Sequence, residues 1–152
     1  MKSPQNQRAL ARSAARLAAV QALYQLEMEQ PALVQLIDEF HMHRLGASIE
    51  DVEYADADVA FFDDLVRGTA ARRDEIDGLI GGKLAQGWSL TRLDRTMIQI
   101  LRAGTYELLA RADVPKATTI SEYVDVAHAF FESRDAKFVN GLLDAIAKDA
   151  GR

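Results

Sequence analysis

The chain has no cysteine in 152 residues, which excludes disulfides and thiolate metal sites. Only three prolines occur, at positions 4, 31 and 115. Long stretches are therefore free of the strongest helix breaker. No apolar run approaches the roughly 18 residues of a membrane span, and the N-terminus lacks the apolar segment of a secretory signal. No Asn-Gly or Asp-Gly pair lies between alternating apolar runs, so hairpins are not expected. Acidic residues are missing before Glu27, although the whole chain has a net charge of −5. That last absence isolates Lys2, Arg8, Arg12 and Arg16 as a cationic segment on an acidic protein. Three arginines repeat every fourth residue, a local stripe that suits one large anion, and nucleic acid fits best.

The composition is 49% hydrophobic and 27% charged, as in a folded globular domain. Length and the lack of a linker signature predict a single domain over 1–152. Absence of cysteine suits a reducing cytoplasm. The 3.6-residue period recurs throughout and predicts an all-α chain of about seven helices. The first begins with Ser3 as N-cap and Pro4 as first helical residue, and stops before Pro31. On a helical wheel Leu10, Leu17 and Tyr24 fall within about 40° of one line, which predicts a core seam. The arginines lie on average ~140° away, and Ala11, Ala14, Ala18 and Ala22 form a third, close-packing face.

A second helix is predicted over 32–45, closed by Gly46. A loop over 46–57 follows, with Ser48 and Asp51 as a capping box. Residues 27–66 hold eleven acids against Arg44 alone. The third helix covers about 58–71 with Val59, Phe62, Leu65 and Val66 inward. The fourth covers 72–86 through Ile76, Leu79, Ile80 and Leu84, and Trp88 marks a turn. The fifth spans about 94–112, the sixth 119–131, and the seventh 135–149. The last places Phe138, Val139, Leu142, Leu143 and Ile146 on one arc.

Catalytic signals are weak. His41 and His43 point some 200° apart on a helix and cannot share a metal ion. Asp56, Asp58, Asp63 and Asp64 lack calcium-loop spacing and read as an acidic loop with helix N-terminal charges. Gly81-Gly82-Lys83 lacks the other residues of a phosphate loop and reads as a helix end. No enzymatic activity, cofactor or metal is expected. The arginine stripe has no acidic partner at i±4, which sets it apart from an ordinary solvated helix face. Its guanidinium groups suit phosphate forks and base stacking. Periodicity alone leaves DNA, RNA and an acidic protein open.

Five strings in register narrow this. AVQALY (19–24) follows the stripe, then come FFDDLVRG (61–68), Trp88 with ILRAGTYELL (100–109), DVP with TISEYVDVA (113–127), and KFVNGLLDAI (137–146). In this order the chain resembles the NusB family of transcription antitermination factors over about residues 8–147. The resemblance implies an all-α fold in which two three-helix bundles share long helices. It implies binding to the boxA element of nascent ribosomal RNA together with NusE, a ribosomal protein, within the RNA polymerase antitermination complex. It assigns RNA contact to Arg12 and Arg16, with Arg8 one turn earlier, and to Lys137 and Phe138. It associates Tyr24 with the protein-partner surface. Ser13 and Ala14 interrupt what is often a denser arginine run in the family, which shifts expected affinity toward the partner. Arg134 adds a cation before Lys137. Phe138 and Tyr24 also read as core residues. Self-association into a homodimer is left open. An alternative is a NusB-like domain related to rRNA cytosine methyltransferases, here without a catalytic domain.

Overall fold

The computed structural model describes residues 4–45 and 57–152. Among these, seven α-helices and one short 3-10 helix occur and no strand. They are α1 (Pro4–Glu29), α2 (Leu33–His43), α3 (Val59–Ala71), α4 (Arg73–Gly81), the 3-10 turn Leu90–Arg92, α5 (Arg95–Ala110), α6 (Lys116–Phe130) and α7 (Ser133–Asp149). The all-α expectation and the order of the seven helices hold. Ser3, Gly46, Ser48, Asp51 and Asp56, which carried predictions about caps and the acidic loop, lie outside the described residues.

The chain divides into two compact units, residues 1–67 and 68–152, with the boundary inside α3. In the first unit, α1 runs into Gln30, whose φ of 54° is left-handed and ends the helix one residue before Pro31. Its buried residues are Ala15, Ala18, Ala19, Val20, Ala22 and Leu23 from α1, Leu36, Ile37 and Phe40 from α2, and Phe61, Phe62, Leu65 and Val66 from α3. Phe40 and Phe62 stack with ring centroids 5.6 Å apart. His41 Nε2 lies 2.6 Å from Asp63 Oδ1, a polar tie between α2 and α3. His43 is exposed. Val59, expected inward, is 42% exposed. It opens α3 before the helix meets the core.

In the second unit α5 is buried on every side from Met97 to Leu108 and packs against α4, α6 and α7. It starts with a proper cap: Asp94 Oδ1 accepts from the backbone N–H of Thr96 at 2.8 Å and of Met97 at 3.2 Å. A helix surrounded by neighbours must bury polar side chains, and the two charged ones, Arg102 and Glu107, have partners supplied by other helices. Arg102 of α5 donates Nε to Asp77 Oδ1 at 2.8 Å and Nη2 to Oδ2 at 2.9 Å, a bidentate fork onto α4. Glu107 is fully buried; its Oε2 accepts from the Thr119 hydroxyl at 3.1 Å and its Oε1 from the Tyr123 hydroxyl at 3.0 Å, both on α6. Gly104 lets α5 approach its neighbours closely. A Cβ there would stand 2.9 Å from Leu143 Cδ1 and 3.3 Å from Tyr123 Cδ2.

The Arg102 fork makes a prediction. Asp77→Ala removes the carboxylate from a guanidinium that is only 5% exposed. Asp77 itself keeps a quarter of its surface in water, which reduces the cost below that of a fully buried pair. The expected loss is about 2 kcal/mol by urea unfolding, with Asp77→Asn intermediate. On the surface, Arg72 forks onto Glu75 at 2.8 and 2.9 Å. That hydrogen bonding holds the Glu75 carboxyl below its ordinary value and the Arg72 guanidinium above its own.

Several boundaries move relative to the periodicity, including the ends of α2, at His43 rather than 45, and of α5, at Ala110 rather than 112. α4 stops at Gly81, with Gly82 as its cap, rather than at 86, because two successive glycines hold the helix poorly. α6 begins at Lys116 rather than 119, since Pro115, at φ −58°, occupies the cap position and needs no N–H there. α7 begins at Ser133, after an extended Glu132.

Candidate nucleic-acid interface

The N-terminal half of α1 does not present three equivalent arginines. Arg8 is exposed. Arg12 is about a quarter exposed, with Nε 3.6 Å from Asp58 Oδ2 and its guanidinium carbon 4.6 Å from the centre of the Phe61 ring. Arg16 is only 2% exposed and places its guanidinium carbon 5.0 Å from the same ring. One phenylalanine thus holds two cations against its π surface. Asp58 fixes this geometry at the start of α3. Its backbone N–H donates to Ala11 O at 3.0 Å, and its Oδ1 accepts from the Phe61 N–H at 3.0 Å. The acidic partner missing at i±4 on α1 is therefore supplied by Asp58, the residue that precedes α3. The gradient runs from a solvent-facing cation at Arg8 to a packed one at Arg16.

The apolar line of α1 is a correction to the periodicity. Leu10, Leu17 and Tyr24 were expected as the core seam, yet they are 39%, 36% and 39% exposed. Of the alanine face expected at 11, 14, 18 and 22, only Ala18 and Ala22 are buried, and Ala15 and Ala19 join them fully covered while Ala11 and Ala14 are half-buried. Small side chains bring helix axes close enough for Val20 and Leu23 to reach the core, so the larger line is left on the surface. Met28 continues that line at 53% exposure. Tyr24, the residue associated with a protein partner, is thus at the surface.

In the second unit Lys137 is exposed, and Phe138 is 37% exposed. The placement of Phe138 on the inward arc of α7 is corrected: Val139, Leu142, Leu143 and Ile146 are buried, and the phenyl ring sits at the edge of that arc. Arg134, one turn earlier, is exposed. Phe130, at the end of α6, is 44% exposed, with its ring centroid 6.4 Å from that of Phe131. Its signal in the sequence is the adjacent aromatic pair Phe130-Phe131, which precedes a helix start of mixed charge, with Glu132, Arg134, Asp135 and Lys137. Arg12 and Arg16 come together on Phe61, and Lys137 and Phe138 share the exposed first turns of α7. The two sets belong to different units.

This chemistry is that of binding. Cations can neutralise phosphate and partly exposed aromatic rings can stack bases. Among the described residues no cluster of three or more potential metal ligands occurs, and no helix is long and apolar enough to cross a membrane.

Comparison with known proteins fits these features. The model of the NusB family matches residues 13–148. The transcription antitermination protein NusB of Novosphingobium aromaticivorans is 76% identical over 139 residues, covering 91% of this chain and 94% of that protein. Among solved structures, T. maritima NusB superposes with a TM-score of 0.73 at 34% identity, covering 98% of this chain and 94% of the other. A crystal structure of antitermination factors NusB and NusE in complex with dsRNA shares the fold, with a TM-score of 0.75 at 24% identity, covering 91% and 97% of the two chains.

Proposed function

The chain belongs to the NusB family, and on that footing we propose that it is a transcription antitermination factor. It binds the boxA element of nascent ribosomal RNA together with NusE and joins the RNA polymerase antitermination complex. Its near full-length similarity to a transcription antitermination protein carries this reading. Action is by binding rather than catalysis, and it takes place in the bacterial cytoplasm where RNA is made. The whole of 1–152 serves as one RNA-binding domain. The methyltransferase-related alternative is not favoured, since the similarity to a transcription antitermination protein runs over 94% of that protein's length.

Roles follow from exposure. Arg8 and Arg12 meet phosphates from the first unit. Arg16 extends the same stripe and acts by clamping Phe61, which positions Arg12. In the second unit Lys137, helped by Arg134, meets phosphate, and Phe138 offers a ring edge to a base. Tyr24, with Leu17 beside it on the exposed line, contacts the protein partner. A net charge of −5 opposes RNA at long range. A basic partner such as a ribosomal protein offsets that repulsion, so binding is cooperative.

Titration of labelled boxA RNA, with and without NusE, tests the reading. Affinity is expected to rise at least ten-fold with NusE. Equal affinity in both arms removes the cooperative mechanism, and equal affinity for a scrambled RNA removes the boxA assignment. Arg8→Ala should weaken binding and reduce the salt slope by about 0.7, the share of one phosphate contact on a single strand. Its melting temperature should stay unchanged, because Arg8 is exposed.

A further inference from the structure

The link from α4 to α5 carries a feature that no helix-packing role absorbs. Trp88, the sole tryptophan of the chain, is 56% exposed. It stands in a tight turn. Gly87 has φ of 88°, a left-handed value suited to glycine, and the Trp88 N–H donates to Ala85 O at 2.9 Å. Arg92 Nη1 donates to the carbonyl oxygen of Gly87 at 3.1 Å. The guanidinium is thereby anchored at the residue preceding the indole. Ser89 and Thr91, between them, bond to each other through their hydroxyls at 2.9 Å.

Charge around the turn is cationic. From Gly78 to Arg95 the ionic residues are Lys83, Arg92, Asp94 and Arg95. Asp94 is committed to capping α5, and Lys83 pairs with Asp149 of α7. The residues flanking the indole, Ala85, Gln86, Gly87 and Ser89, are small or polar and exposed. A protein-docking hot spot would be expected to set the ring within an apolar patch that excludes water. An isolated, backbone-anchored indole beside a tethered guanidinium is instead the chemistry of a single-strand platform: one base stacks on the ring and the adjoining phosphate meets the cation.

We propose that Trp88 and Arg92 form an additional contact for single-stranded RNA on the second unit, separate from the Lys137–Phe138 end of α7. Asp149, where Lys83 anchors the neighbouring end of α4, lies eleven residues beyond Phe138, about 16 Å along the helix. The contact extends the RNA path and rests on the RNA-binding reading above.

Because Trp88 is the only indole, its emission reports on the turn directly. The experiment titrates the full chain, with NusE present, using short single-stranded boxA RNA. Polarisation of dye-labelled RNA measures binding, and Trp88 emission with unlabelled RNA measures stacking. NusE is used in a tryptophan-free form. Quenching at the same midpoint as the polarisation change is expected. Trp88→Ala should weaken binding by about ten-fold without a change in melting temperature, and Trp88→Phe should restore most of it. Arg92→Gln should reduce the salt slope. Binding by polarisation with unchanged emission and an unaffected Trp88→Ala variant overturns this inference and leaves the RNA-binding reading intact. Emission that responds to NusE alone, and not to RNA, overturns it in favour of a protein contact. No polarisation change at all removes the RNA-binding reading itself.

Discussion

Arg16→Ala should destabilise the protein by about 3 kcal/mol, whereas Arg8→Ala should leave stability unaltered, although both remove one arginine from one stripe. Arg16 is among the largest fully covered side chains, and its loss leaves a void of that size beside Phe61. The alkyl stem gives up its packing and the ring gives up a cation, and large-to-small changes of this kind cost about 2–5 kcal/mol. At this chain length the melting temperature should fall by roughly 6–12 °C. Calorimetry of the two variants side by side checks it. Equal melting temperatures would show that Arg16 is carried by solvent. The common practice of neutralising several arginines together to test RNA binding would therefore mix a folding defect with a binding defect in this protein. Arg8→Ala and Arg12→Gln separate them better, since Arg12→Gln keeps a stem to lie on the ring.

Gly68→Val should be at least as damaging. Gly68 is on α3, and a Cβ built there would fall on the phenol ring of Tyr106, itself 7% exposed on α5. The ring must shift, and its neighbours on α5 are buried, so the shift disturbs packed side chains. Helix propensity would favour valine over this glycine by only about 0.3 kcal/mol, and steric overlap with a buried aromatic overrides it. The expected cost is about 3 kcal/mol or more, measured by urea unfolding or seen as loss of soluble protein. Gly68→Val combined with Tyr106→Leu should recover much of it relative to Tyr106→Leu alone, since the second change vacates volume that the first needs. Failure of this rescue would place the defect elsewhere than in the ring contact.

Much of the helix order was legible because breakers and caps are local. Pro31, the Gly81-Gly82 pair and Pro115 each act on the residues next to them, and the structure departs from the expected ends by only a few residues. The inward face of α1 was not legible. Leucine, tyrosine and alanine positions are all apolar, so a wheel shows two candidate faces. The decision belongs to the close approach of α2 and α3, which favours alanine. The state of Arg16 was hidden for a related reason. Its ring partner is 45 positions away in the chain, and no spacing rule connects residue 16 with residue 61. At the other end, Phe138 sits on the margin of an arc, where an angular estimate cannot separate covered from half-covered. Arg102 and Glu107 carried no sign of burial beyond their place in an apolar helix, since their partners Asp77, Thr119 and Tyr123 lie on other helices.

The buried Glu107 also acts as an angular index. Thr119 and Tyr123 are four residues apart and reach its two oxygens from one face of α6. Rotating α6 by one residue, about 100°, would withdraw both hydroxyls together and strand a carboxylate in the interior. A purely hydrocarbon contact would tolerate several settings, and this one admits a single setting. Only Phe131 and Glu132 separate α6 from α7, and α7 packs along α6. A fixed setting of α6 therefore also fixes one of the walls that the buried face of α7, the helix carrying Lys137, must fit.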